Sequence, residues 1–291
     1  MKICGFTFVR NAVKYDYPVV ASILSILPIV DEFIVSVGNC GDGTLELIES
    51  INSPKIKIVH SIWDDSLKEG GRVLAIETDK ALAQVSRDYE WAFYLQADEV
   101  VHEQYFEAIL AAAKKYATDE RVEGLLFNYV HFYGSYDYYG DSRRWYDHEI
   151  RLIKNKGNIV SYKDAQGFRS RVNKKLRVKK INAAIYHYGW VRHPNKQFEK
   201  IVAFSGFWNG EGYAPAPHKE ENQFDFLKDA DSLALFKGTH PAVMQKRIAE
   251  KNWTADFDTT KKRFSIKDVL LYRIEKLTGK RLFAYKNYTI I

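Results

Sequence analysis

Over roughly the first 130 residues, short apolar runs alternate with amphipathic stretches, the pattern of repeated strand–helix–strand units and a mostly parallel sheet. Residues 3–9, 32–37, 56–60, 91–95 and 124–131 read as strands, several apolar enough to be buried on both faces. Helices are predicted between them at 18–27, 44–51, 71–86 and 102–116. In the last of these, Phe106, Ile109, Leu110 and Ala113 form a stripe at helical spacing. After Tyr133 the periodicity fades into a loop rich in Tyr, Gly and Asp that lasts to Tyr146. Short strands are expected at 149–153, 159–162 and 183–187. From about residue 197 the chain reads as helical, with Pro215 and Pro217 in a loop and 264–277 as the last amphipathic helix.

The fourth apolar run, Trp91 to Leu95, leads directly into Gln96-Ala97-Asp98-Glu99. In open α/β sheets ligands sit beyond the carboxyl ends of the strands, so Asp98 is placed at that rim. Its hard oxygens suit a divalent cation completed by a nucleotide's phosphates; the competing reading is that the two acids open the next helix. Three further groups are expected at the same edge. Arg10 and Asn11 leave the first strand, and Gly38-Asn39-Cys40-Gly41-Asp42-Gly43-Thr44 follows the second, with glycines for a tight backbone and Asp42 or Thr44 as a helix cap. Lys68 and Arg72 flank Gly70-Gly71 ahead of the third helix. A cation there opposes the helix dipole unless an anion joins it, which makes Arg72 a candidate phosphate contact. Neither the dinucleotide nor the P-loop glycine signature is present.

Composition narrows the class. With 291 residues, 46% of them hydrophobic, the chain can bury a large core. Cys4 and Cys40 match no metal or redox spacing, and no run of 18 apolar residues occurs, so a cytoplasmic location is expected. The net charge of +6 is concentrated towards the end, through Lys261, Lys262, Arg263, Lys267, Arg273, Lys276, Lys280, Arg281 and Lys286. Such a tail suits peripheral contact with an anionic membrane or a charged acceptor, or else forms a solvated helical face; no specific nucleic-acid partner is expected.

Taken in order, these motifs resemble those of GT-A fold glycosyltransferases near family 2. Phe8-Val9-Arg10-Asn11 is similar to the family's first-strand motif, Asp42-Gly43-Thr44 to its Asp-Gly-Thr turn, and Gln96-Ala97-Asp98-Glu99 to its Asp-any-Asp-Glu metal motif. Glu149-Ile150-Arg151-Leu152-Ile153-Lys154-Asn155 resembles its Arg-Leu-Phe-Arg-Asn strand, and Tyr186-His187-Tyr188-Gly189-Trp190 its late His-Tyr-Gly segment. Three departures stand out. Gln96 replaces the first motif carboxylate, Val37-Gly38 stands where a base-binding Asp is expected, and Glu77-Thr78-Asp79 replaces Ala-Arg-Asn, with Arg72 a candidate substitute for the missing arginine.

The resemblance implies an α/β GT-A fold, with a catalytic domain over 1–195 (nucleotide-sugar half 1–100, acceptor half 101–195) and a helical extension over 196–291. The implied reaction moves a sugar from a nucleoside diphosphate sugar to a glycan, lipid or protein hydroxyl, with inversion. Donor contacts are expected from Val9, Arg10, Asn11, Gly38, Asn39, Asp42, Arg72, Gln96 and Ala97. Mn²⁺ or Mg²⁺ would be held by Asp98 and, by resemblance, His187. The base candidates are, in order, Asp164, Glu149 and Asp147. The alternatives are a nucleotidyltransferase, for which Phe6 to Ala12 lacks the glycines of a triphosphate loop, and a non-catalytic binder of sugar nucleotide or nucleic acid, which Gln96 would suit.

Overall fold

The computed structural model describes residues 1–67, 70–208 and 223–291, leaving aside the side chain of Trp208. Lys68, Pro215 and Pro217 lie outside the described residues. Four strands, β1 (Ile3–Val9), β2 (Glu32–Gly38), β3 (Ile56–Ser61) and β4 (Trp91–Tyr94), form a parallel half-sheet in the order β3-β2-β1-β4. The strand at β4 continues not into a helix but into β5 (Glu99–Val101), so the acids do not open a helix. The expected strand at 124–131 extends to become β6 (Gly124–Tyr133). The loop expected at 133–146 contains β7 (Ser135–Gly140), whose tyrosines pack against rings of the C-terminal region instead of following a simple two-residue period. Next come β8 (His148–Lys154), the hairpin β9 (Ile159–Tyr162) and β10 (Gly167–Ser170), and β11 (Leu176–Trp190).

β8 runs antiparallel between β4 and β6, so the sheet changes from parallel to mixed beside the acid-bearing strand. On its other edge β6 is joined in parallel by β11, and β11 in turn receives β5 antiparallel. Helices α1 (Val19–Ile26), α2 (Thr44–Glu49) and α4 (Phe106–Lys115) cover one face, and α3 (Arg72–Ala83) with the β9–β10 hairpin covers the other. Successive strand residues therefore enter opposite cores. Ile3, Phe33, Val35, Trp91 and Phe93 pack with Ile23 and Ile109, while Cys4, Phe6, Ile34 and Tyr94 pack with Ala81 and Phe168.

The C-terminal third is threaded into this sheet. Pro194 at the first turn and His193 as cap open α5 (Pro194–Ser205). After α6 (Phe226–Asp229), β12 (Leu233–Leu235) pairs with β7. α7 (Gln245–Ala249) and α8 (Ile266–Thr278) follow, and β13 (Tyr288–Ile290) pairs with the start of β11. Part of the basic tail is spent internally. Asp141 accepts from Tyr272 at 2.7 Å and pairs with Lys262 at 3.3 Å and Lys276 at 3.8 Å. Ile266, Leu270 and Leu277 of α8 are exposed. Among the described residues no helix is long and apolar enough to cross a membrane.

Candidate active site

The carboxyl ends of β1 and β4 open into a cleft of about 840 Å³, a volume suited to a ligand of nucleotide size. It is lined by Val9, Arg10, Asn11, Gln96, Ala97, Asp98, Asp164 and His187 of the expected residues, and by Trp63, Asp65, His131, Gln197 and Lys200, which the motifs did not single out. Sheet register explains the central group. His187 of β11 lies opposite His131 of β6 on one side and Glu99 of β5 on the other. This brings the residue before Glu99 against the imidazole, although 89 positions separate them in the chain.

Asp98 is only 7% exposed. Its Oδ2 accepts from Lys200 Nζ at 3.3 Å, and its Oδ1 lies 3.7 Å from His187 Nε2. Burial pushes this carboxyl up, but Lys200 above all, then His187 and Arg192, overcome that and hold it at about 2. Burial and Arg192 push the Lys200 ammonium below the ordinary lysine range, against the pull of Asp98. Gly189 permits this crowding, because a Cβ there would stand 2.5 Å from His187 Nε2 and 2.8 Å from Asp98 Oδ2. His131 donates from Nε2 to the Tyr146 carbonyl at 2.9 Å, and burial holds its pKa well below the usual range, so its Nδ1 is an acceptor. His187 Nδ1 then donates to it at 3.2 Å, which leaves His187 Nε2 bare beside Asp98.

Behind the site lies a buried ion pair. Glu99 and Arg151, both fully buried, meet through two hydrogen bonds of 2.7 and 2.6 Å, and Tyr129 donates to the same carboxylate. Glu99 also accepts from the Gln96 backbone N–H at 3.2 Å, fixing the turn that carries Asp98.

One end of the cleft is aromatic and cationic. Trp63 lies 5.6 Å from Phe8 between ring centroids, and Arg10 stands over it at 5.5 Å while forming a bidentate pair with Asp65. Gly38 lies beneath Trp63, with room for no side chain, since a Cβ would come 2.4 Å from the indole nitrogen. Beyond His131, Trp145 and Trp190 line the opposite end.

Several expected contacts are turned elsewhere. Asp42 does not line the cleft: its carboxylate accepts from Lys14 N at 2.7 Å and Thr44 Oγ1 at 2.6 Å, tying the loops after β1 and β2 together. Asn39 supports Trp63 by accepting from its backbone N–H at 3.1 Å. Arg72 is exposed and faces an adjoining hollow with Asp79 and Lys163. Asp147 pairs with His148 at 3.0 Å and Arg281 at 3.7 Å outside the cleft. Glu149 lies buried behind the wall, where Oε1 accepts from Gln166 at 3.0 Å and Oε2 has no partner.

Asp164 alone of the three base candidates lines the cleft. It sits between Lys163 and Ala165, both left-handed with φ of 57° and 65°, conformations such residues adopt only when the surroundings impose them. Gln96 secures the turn by donating to the Ala165 carbonyl at 3.1 Å, and burial raises the Asp164 carboxyl above its ordinary value.

Burial lifts Glu149 to about 8 in spite of Arg151. The unfolded chain sheds this proton near 4.5 and the folded chain near 8, so the carboxyl's contribution is complete below 4.5 and is lost as pH rises through 8. Glu149→Gln, which mimics the protonated form, is therefore expected to gain on the parent by about 2–3 kcal/mol between pH 5.5 and 7.5. Urea unfolding at the two pH values checks this; an unchanged difference would contradict it.

The residues around Asp98 decide whether a divalent cation fits. Among the described residues no three His, Cys, Asp or Glu side chains are placed to hold a metal. Asp98 and His187 offer one carboxylate and one bare nitrogen, Gln96 is turned to Ala165, and an ammonium already sits on Asp98. A doubly charged ion about 4 Å from that ammonium would be repelled by about 8 kcal/mol at an effective dielectric of about 20. The residues present do not fit the metal expected from the sequence.

No known family model matches the chain, and neither does any curated protein. Among solved structures, S. aureus TarS aligns at a TM-score of 0.40 and 14% identity, covering 70% of this chain and 39% of that one. TarS 1-349 in complex with UDP aligns at 0.39 and 10%, over 71% and 65%. A third is glucosyl-3-phosphoglycerate synthase from Mycobacterium tuberculosis with Mn²⁺, UDP and phosphoglyceric acid, at 0.29 and 20%, over 45% and 43%. The chain thus spans between 39% and 65% of the length of these structures. A parallel β3-β2-β1-β4 half-sheet, an antiparallel neighbour beside β4, and a late His-Tyr-Gly strand returning to the acid after β4 decide the architecture. The fold is GT-A-like. Within that GT-A-like frame, Lys200 and His131 are the central groups that the motifs missed. The signal for Lys200 was the inward face of α5, where Gln197, Lys200, Ile201 and Phe204 recur at helical spacing.

Proposed function

We propose that this chain transfers a sugar from a nucleoside diphosphate sugar to an acceptor hydroxyl. The reading is carried by one observation, the buried Asp98–Lys200 charge pair at the floor of a nucleotide-sized cleft beyond β1 and β4. A charged group withheld from water in a concave site is costly to the fold and marks functional positions. The base stacks at the Trp63 end, where Arg10 is fixed by Asp65. The diphosphate lies towards Lys200, and the sugar faces Gln197, whose Oε1 is an acceptor with no partner. Asp164 serves as general base for the acceptor hydroxyl, its raised pKa making it the better proton acceptor. Attack opposite the leaving group inverts the anomeric centre.

A thermal-shift panel of UDP, GDP, dTDP and CMP tests the reading, with UDP first. One nucleoside diphosphate at a hundred times its Kd adds about 2.7 kcal/mol, a rise of about 5 °C in Tm. If none of the nucleotides moves Tm, the proposal fails.

A further inference from the structure

We infer that Lys200 supplies the positive charge at the leaving diphosphate that a divalent cation would otherwise provide, so that this chain binds its donor and transfers sugar without a metal. The inference rests on the proposed reading of the cleft as a nucleoside diphosphate sugar site, and deepens it.

Two residues at one place carry the argument. The motif position that would be acidic is Gln96, a neutral amide whose Nε2 is taken by the Ala165 carbonyl. The site therefore has no second carboxylate there to draw a cation. An ammonium stands beside Asp98 instead, because α5 delivers Lys200 Nζ to within 3.3 Å of Asp98 Oδ2 and 3.0 Å of the Gly189 carbonyl.

The ammonium is held rather than loose. Its side chain is 14% exposed, and Nζ stands 5.0 Å from the centre of the Tyr17 ring. Asp98 and Gly189 take two of its three N–H groups, and the third has no hydrogen-bond partner among the described residues. Lys200 lines the cleft, so that third donor is placed for a phosphate oxygen. Fully buried Arg192 stands behind it, donating to the Tyr15 and Gly189 carbonyls. Asp98 is thus one carboxylate facing two basic side chains, Lys200 and Arg192, before any ligand enters.

In the reaction, the bond between the anomeric carbon and the diphosphate oxygen breaks, and its electron pair leaves with the diphosphate. The acceptor oxygen forms the new bond to that carbon, and its proton passes to Asp164. The departing group carries one more negative charge than it did in the donor, and Lys200 meets that charge.

Calorimetric titration with UDP, and with whichever diphosphate the panel selects, tests this in excess EDTA and again with Mn²⁺. The parent is expected to bind equally in both buffers, within threefold. Lys200→Met is expected to weaken UDP at least thirtyfold while changing uridine by less than threefold, and Lys200→Arg to retain most of the parent's affinity. Binding that appears only with Mn²⁺ would overturn the inference and leave the proposed function standing. So would a folded Lys200→Met that binds UDP like the parent. Failure of every diphosphate in both buffers would remove both. The two-buffer comparison on the parent needs no variant to fold.

Discussion

Replacing Arg151 with Met is expected to lower folding stability by about 3–5 kcal/mol, because Glu99 would keep its place in the core without its counter-charge. Glu99 has no route to water, being fully buried between Tyr129 and the Gln96 turn. The pair itself need not be a net source of stability, since two desolvated charges repay their dehydration only through good geometry. Arg151→Met combined with Glu99→Met is therefore expected to recover most of what the single change loses. Urea unfolding of the parent, the single variants and the double variant measures this. If Arg151→Met alone lowers stability by less than about 1 kcal/mol, the pair is not what anchors the turn beneath Asp98.

The second large effect concerns the reaction. Asp164→Asn is expected to reduce turnover of the matching sugar nucleotide by about 10²- to 10⁴-fold, the range for loss of a general base, with nucleotide affinity unchanged. Asn keeps the shape of the strained turn between Lys163 and Ala165 but cannot take the hydroxyl proton. Glu149→Gln and Asp147→Asn are expected to stay within tenfold of the parent, since one acid is buried behind the wall and the other is paired outside the cleft. A rise in KM with kcat unchanged would instead make Asp164 a binding residue.

Much of the architecture was legible before any coordinates. The strands at 3–9, 32–37 and 91–95 are buried on both faces, as near-continuous apolar runs announce, while the edge strand at 56–60 is only half-buried, with Lys57 and His60 exposed. Strand β5 was not legible. Asp98-Glu99 also suits the first turn of a helix, and what makes Glu99–Val101 a strand is pairing with β11, some 85 residues later. Asp42 shows the limit of motif reading. Its Asp-Gly-Thr setting marked the right turn, but only the positions of Lys14 and Thr44 show that the carboxylate is consumed in holding two loops together. Lys200 was legible only in part. Its helical spacing with Gln197, Ile201 and Phe204 marks an inward face, but its partner emerges only when α5 folds back across the sheet edge onto Asp98.

A crystal structure with an intact nucleoside diphosphate sugar tests the central claim most directly. The account predicts the base against Trp63, the diphosphate within hydrogen-bonding distance of Lys200, and the anomeric carbon facing Asp164. A donor bound in the hollow beside Arg72, with the Asp98–Lys200 pair untouched, would contradict it.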